Sequence, residues 1–215
     1  LSTPNNGVTI RADVVGTVLS STAKMTVNGN ALFITIGFGN TITNLDPTTY
    51  SKPFSVYVTD ANGVAVGNQL VTLSVIPNTY YKGSLVFGTA VWGYAVGSPT
   101  ASCVNEDTNR NGILDAGEDT SGNGLLNPGN IAVASPGSVT TGADGRATFS
   151  LQYGEQFVPW ANVQIVARAS VSGTESRKEL AFDLSGLSDD FSSETVPPAG
   201  RISPFGTSAV CTNEL

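Results

Sequence analysis

The chain has 215 residues, 40% hydrophobic and only 13% charged, about half the charged share of an average soluble protein, roughly 25%. Ten Lys and Arg against seventeen Asp and Glu leave a formal charge of −7, which argues against nucleic acid or an anionic membrane surface as partner. Histidine is absent, so Ser-His-Asp and Cys-His pairs, histidine general bases and histidine-bearing zinc or copper sites are excluded. No catalytic residue is assigned and no enzymatic activity is expected. The longest weakly polar run, Leu85 to Gly97, contains three glycines and falls far short of the roughly twenty residues of a membrane helix. The start, Leu1-Ser-Thr-Pro-Asn-Asn, lacks Met and the apolar stretch of a signal peptide, which reads as a mature or excised piece.

In chain order, period-two or buried apolar runs predict strands at Val8–Val14, Leu32–Ile36, Phe54–Val58, Leu70–Val75, Ala147–Leu151 and Val163–Ala167. Turn signals at Asp60-Ala-Asn-Gly63 and Gly142-Ala-Asp-Gly145 supply the positive φ angles of hairpins between such strands. Polarity carried by Ser, Thr, Asn and Gly favours strands and tight turns. The expected class is all-β, an antiparallel sandwich with almost no helix.

Val56-Tyr-Val-Thr-Asp-Ala-Asn-Gly-Val-Ala-Val-Gly-Asn-Gln-Leu-Val-Thr-Leu-Ser74, then Val139–Leu151 and Val163–Ala169, stand in an order that resembles the bacterial Ig-like repeat of invasin- and intimin-type surface proteins. The resemblance covers about residues 30–185 and implies an Ig-like sandwich used as an extracellular stalk or adhesive module, without catalytic residues. It departs from the family's pattern in an insertion at about 82–130. Residues 186–215 form a Pro- and Ser-rich tail. Residues 1–29 repeat the closing hairpin: Val8-Thr-Ile-Arg-Ala-Asp-Val-Val-Gly-Thr17 followed by Ala23–Gly29 parallels Val163–Thr174 followed by Glu179–Gly186. That segment is expected to belong to a preceding Ig-like domain, to be donated to a neighbouring molecule, or to add strands to this sandwich.

Inside the insertion, Asp107-Thr-Asn-Arg-Asn-Gly-Ile-Leu-Asp-Ala-Gly-Glu118 satisfies the calcium-loop pattern D-x-[DN]-x-[DN]-G-x5-E. A hard cation takes oxygen ligands, here the side chains of Asp107, Asn109 and Asn111, the Ile113 carbonyl, Asp115 and bidentate Glu118. The next twelve residues repeat the pattern with Asp119, Ser121, Asn123, the Leu125 carbonyl and Asn127, but end on Asn130. That second loop is expected to bind more weakly or to be completed by a neighbour. Glu106, Asp107, Asp115, Glu118 and Asp119 against Arg110 give a local charge of 1 − 5 = −4, so Ca2+ is the expected cofactor. Neither flank reads as an amphipathic helix.

Cys103, just before the loops, and Cys211, four residues from the end, suggest a disulfide pinning the tail to the insertion in an oxidising, extracellular compartment. Tyr80, Tyr81, Phe87, Trp92, Tyr94, Tyr153, Phe157 and Trp160 read as core in preference to a sugar platform. The resulting expectation is a calcium-stabilised structural or adhesive module of a bacterial surface or secreted protein. Its partners are neighbouring Ig-like domains or like subunits, with a host or cell-surface ligand left open. A pilus-like fibre subunit assembling by strand exchange and a carbohydrate-binding module are the alternatives.

Overall fold

In the computed structural model, which describes residues 5–27, 31–171 and 174–213, alternation of apolar and polar side chains resolves into strands β1 (Asn5–Asp13), β2 (Ser20–Val27), β3 (Phe33–Phe38), β4 (Thr43–Asp46), β5 (Thr49–Thr59), β6 (Leu70–Lys82), β7 (Leu85–Phe87), β8 (Trp92–Tyr94), β9 (Ala101–Val104), β10 (Ala132–Ser135), β11 (Ser138–Thr140), β12 (Arg146–Gly154), β13 (Ala161–Val171) and β14 (Thr174–Asp183). Helical turns among the described residues are confined to Glu155–Phe157 and Asp189–Phe191. No described helix is long and apolar enough to cross a membrane.

One sheet has the order β10-β12-β5-β3, with β4 also on β5; the other has the order β11-β6-β13-β14, with β9 also on β6. All these pairings are antiparallel. Taken in chain order, β3, β5, β6, β10, β12, β13 and β14 give the strand order ABED against CFG of a seven-stranded Greek-key sandwich. That architecture is shared by domains without sequence similarity.

The core lies between the sheets. Tyr50, Phe54, Val56 and Val58 of β5 face Val163, Ile165, Ala167 and Ala169 of β13, all buried. Phe54 also meets Phe182 edge-on across the sandwich, ring centroids 5.4 Å apart. Each such Val, Ile or Phe side chain contributes about 1.5–3 kcal/mol by leaving water. Lys52 shares the inward row of β5, with Nζ 5.4 Å from the Phe38 ring centroid and 5.7 Å from that of Phe182.

The two expected hairpin turns form as turns, with Gly63 at φ 79° and Gly145 at φ 73°; the first closes a short antiparallel bridge, Thr59 opposite Ala65, but neither joins two of the named strands. Strand β5 and the following β6 lie in opposite sheets, as do β11 and β12. The chain crosses the core at these points, and Thr141 stitches the crossings together. Its buried hydroxyl accepts from Gln69 N at 2.9 Å and donates to the Val66 carbonyl at 2.7 Å.

The tail has no named strand, yet it is packed on one end of the sandwich. Gly83 N donates to Gly206 O, Leu85 N to Arg201 O and Ser203 N to Gly83 O. Phe205 is buried against Tyr80 and Phe157, and the buried Trp160 indole donates to Gly200 O at 2.6 Å. At the other end of the chain, β1 and β2 pair only with each other among the described residues. Leu1–Pro4, Asn28 and Gly29 of the expected N-terminal segment lie outside the described residues.

Candidate metal centre

Strand β9 pairs with the end of β6, so the chain leaves the sheet at Asn105 with its direction set. Asn105 N donates to Asn78 O at 3.0 Å and its Nδ2 to Pro77 O at 2.9 Å. From there to Ile131 the backbone makes two consecutive loops of the same internal geometry. In the first, Asp107 Oδ1 accepts from Asn111 N at 3.0 Å and Oδ2 from Gly112 N at 2.9 Å. In the second, Asp119 Oδ1 accepts from Asn123 N at 3.0 Å and Oδ2 from Gly124 N at 2.9 Å. Asn111 Oδ1 accepts from Ile113 N at 2.6 Å, and Asn123 Oδ1 from Leu125 N at 2.8 Å. The fourth and sixth residues of both loops have positive φ: Arg110 and Gly112 in one, Gly122 and Gly124 in the other.

These bonds bring part of each expected ligand set together. Asp115 Oδ2 accepts from Asn109 Nδ2 at 2.7 Å and Asn111 Nδ2 at 2.8 Å, which brings positions three, five and nine together. Asn127 Nδ2 donates to Ser121 Oγ at 2.9 Å in the second loop. The Ile113 and Leu125 main chains are held by their N–H groups, as above. Glu118, only 4% exposed, closes the first loop. Its Oε1 accepts from Thr108 N at 2.9 Å, Thr108 Oγ1 at 2.8 Å and Asn109 N at 3.4 Å, and its Oε2 from Asp115 N at 3.1 Å.

The second loop, which ends on Asn130, obtains its closing carboxylate from Glu106, a residue that pattern matching passes over. Glu106 is 3% exposed. It accepts from Ser121 N through Oε1 and from Asn127 N through Oε2, both at 2.8 Å. Those are positions three and nine, two of the N–H groups that Glu118 takes in the first loop. The signal is present in the sequence: Glu-Asp-Thr occurs at 106–108 and again at 118–120, so a glutamate precedes each loop and closes the other.

The electrostatics follow from this wiring. The Thr108 hydroxyl, and then the N–H groups of Asp115, Asn109 and Thr108, hold the Glu118 carboxyl below its ordinary value. Burial, reinforced by the Glu106 carboxylate beside it, pushes the Tyr80 phenol up to about 12. Each Asp107 and Asp119 oxygen spends lone pairs on backbone N–H, and an ionised carboxylate has about four acceptor positions. Oxygen acceptors and the lack of free thiol or imidazole fit a hard cation and no soft one. Among the described residues no three His, Cys, Asp or Glu side chains converge as a ligand group, so the structure does not bring Asp107, Asp115 and Glu118 of the expected set together as one cluster.

The expected disulfide is present. Cys103 of β9 is bonded to Cys211 across 108 residues of sequence, which ties the tail beside the root of the loops. The aromatics divide. Tyr80, Tyr153 and Trp160 are buried core, whereas Trp92 and Tyr94 line a groove of about 400 Å³ with Pro159, Asp183 and Phe191. There Trp92 packs edge-on against Phe87 and donates its indole N–H to Ser193 O at 2.8 Å. No family model, curated protein or solved structure matches the chain.

Proposed function

We propose that the chain is a calcium-stabilised, Ig-like structural or adhesive module of an extracellular bacterial surface or secreted protein. One observation carries the reading: two consecutive loops with a calcium-type ligand pattern repeat the same bonds, and each is closed by a buried glutamate. In the first loop Asp107, Asn109, Asn111, the Ile113 carbonyl, Asp115 and Glu118 would hold the ion; in the second, Asp119, Ser121, Asn123, the Leu125 carbonyl and Asn127, with Glu106 supplying the missing carboxylate. The cation supplies neutralisation of a local charge of −4. The chain's own residues do the rest: Gly112 and Gly124 allow the sharp turn, Asn105 fixes the loops to the sheet, and the Cys103–Cys211 bond holds the tail beneath them. The disulfide supports an oxidising compartment, and the resemblance of residues 30–185 to bacterial Ig-like repeats supports the surface assignment.

Thermal melting against free calcium tests this. The midpoint is expected to rise continuously with concentration, to fall on chelation, and to lose both responses in Asp107→Ala/Glu118→Gln. A midpoint indifferent to chelator overturns the reading. A second reading, a fibre subunit assembling by strand exchange, draws on the unpaired backbone edges of β1 and β2; solution mass separates the two, because only the subunit self-associates.

A further inference from the structure

Every side chain described in the β1–β2 hairpin, from Thr9 to Ala23, is exposed. Ile10 is 51% exposed and Val14 56%, and Ala12 between them is exposed as well. An isolated two-stranded hairpin is at best marginally stable in water, so this face has a partner to find. Its identity can be read from β13–β14. Val8, Ile10 and Ala12 repeat Val163, Ile165 and Ala167, and Met25-Thr-Val-Asn-Gly29 repeats the pattern of Phe182-Asp-Leu-Ser-Gly186. The backbone register agrees independently of the residue types. Val8 pairs with Met25 just as Val163 pairs with Phe182, and Ile10 pairs with Ala23 where Ile165 pairs with Leu180.

In the sandwich, Val163, Ile165 and Ala167 are fully buried. Strand β13 is paired along its other edge to β6, Ile165 opposite Val75. We infer that residues 5–27 are the last two strands of a second sandwich of the same kind, and that their apolar face docks onto that module's remaining strands, its counterpart of β6 pairing with β1. Those two strands are the last in chain order, so the rest of their module precedes them on the same polypeptide. A second copy of the chain offers no such place, because its own β13–β14 fills it. The inference concerns the hairpin alone and stands whether or not the loops bind calcium.

Hydrogen exchange, read in chelator so that the outcome is separate from that of the loops, tests it. In residues 1–215 the β1 and β2 amides are expected to exchange at least about a hundredfold faster than those of β13 and β14, in a monomer. Extended by about 100 residues of its natural upstream sequence, one sandwich's length, the protein should protect the hairpin to the level of β13. Ile10→Asp should abolish that gain without moving the melting midpoint of the 31–213 sandwich, whereas Ile165→Asp should lower that midpoint. Three results overturn the inference: a hairpin already protected in monomeric 1–215, which assigns it to this sandwich; one protected in a dimer or fibre, which assigns it to strand exchange; and one still unprotected in the extended chain.

Discussion

Glu106 shows how much a single buried carboxylate can organise. It takes two backbone N–H groups from a loop whose own last residue is Asn130, and it lies against the Tyr80 phenol. A hydrogen bond to a charged group contributes about 1.5–3 kcal/mol, and a glutamine there must turn an NH2 toward one of those N–H donors. Glu106→Gln is therefore expected to cost about 2 kcal/mol and to shift the amide resonances of Ser121–Asn127 while leaving those of Asn109–Ile113 in place. Melting and an NMR amide spectrum read both effects. The titrations set two edges of stability. Glu118 has its folded pKa lowered, so its contribution is complete above the ordinary glutamate value, about 4.3, and is lost as pH falls below it. Tyr80 and Tyr153 are raised to about 12, both mainly by burial. Their contribution is complete below about pH 10 and is lost as pH climbs from there to 12. A melting profile flat between pH 5 and 9 that declines on both sides is expected, and Tyr80→Phe should weaken the alkaline decline. The first loop was legible because its pattern lies within twelve consecutive residues. Glu106 was not, because a linear pattern ends at position twelve and cannot show that the chain doubles back to position zero.

Between elements, turn chemistry predicts that the chain reverses but not where it goes. Asn-Gly at 62–63 and Asp-Gly at 144–145 suit hairpins, yet each sends the chain into the opposite sheet, since the apolar faces of both sheets must be covered. Gly145 is the tighter of the two. A Cβ there would stand 2.6 Å from the Val58 carbonyl and 3.1 Å from Ala65 Cβ, in addition to the positive-φ cost. Gly112 shares the positive φ, with nothing within 4 Å of its Cβ position. Gly112→Ala should lose about 1–2 kcal/mol, and Gly145→Ala should melt lower still; equal losses would show that the crossing relaxes without cost. The disulfide is a second link between elements. Closing a loop of more than a hundred residues contributes up to about 4–5 kcal/mol in the chain-entropy view. Cys211→Ser should lower the midpoint and open the chain beyond Gly206 to proteolysis, while Phe205, held by Tyr80 and Phe157, stays protected.

For the whole molecule, the tail is a structural layer. Phe205, Gly200 and Ser203 cover Tyr80, Trp160 and the end of β6, so a chain ending at Gly186 would expose that apolar surface and leave the buried Trp160 N–H without its acceptor. Such a truncation is expected to aggregate or to lose its cooperative transition, which light scattering and calorimetry would detect. A soluble truncated protein with an unchanged midpoint would reduce the tail to an appendage.

Period-two alternation, turn residues, the loop spacing and the two cysteines lie within short stretches or in residue types with few alternatives. These local features determined by themselves the all-β class, the longer strands of the sandwich, the repeated loop pattern and the disulfide pair. Whether β5 hands the chain to its neighbour or across the core, which glutamate closes which loop, and that a Pro-rich tail without strands seals one end were decided only by the tertiary structure. Each depends on contacts between residues far apart in sequence, where burial of a shared surface and satisfaction of buried N–H groups select one arrangement among several that local preference allows equally.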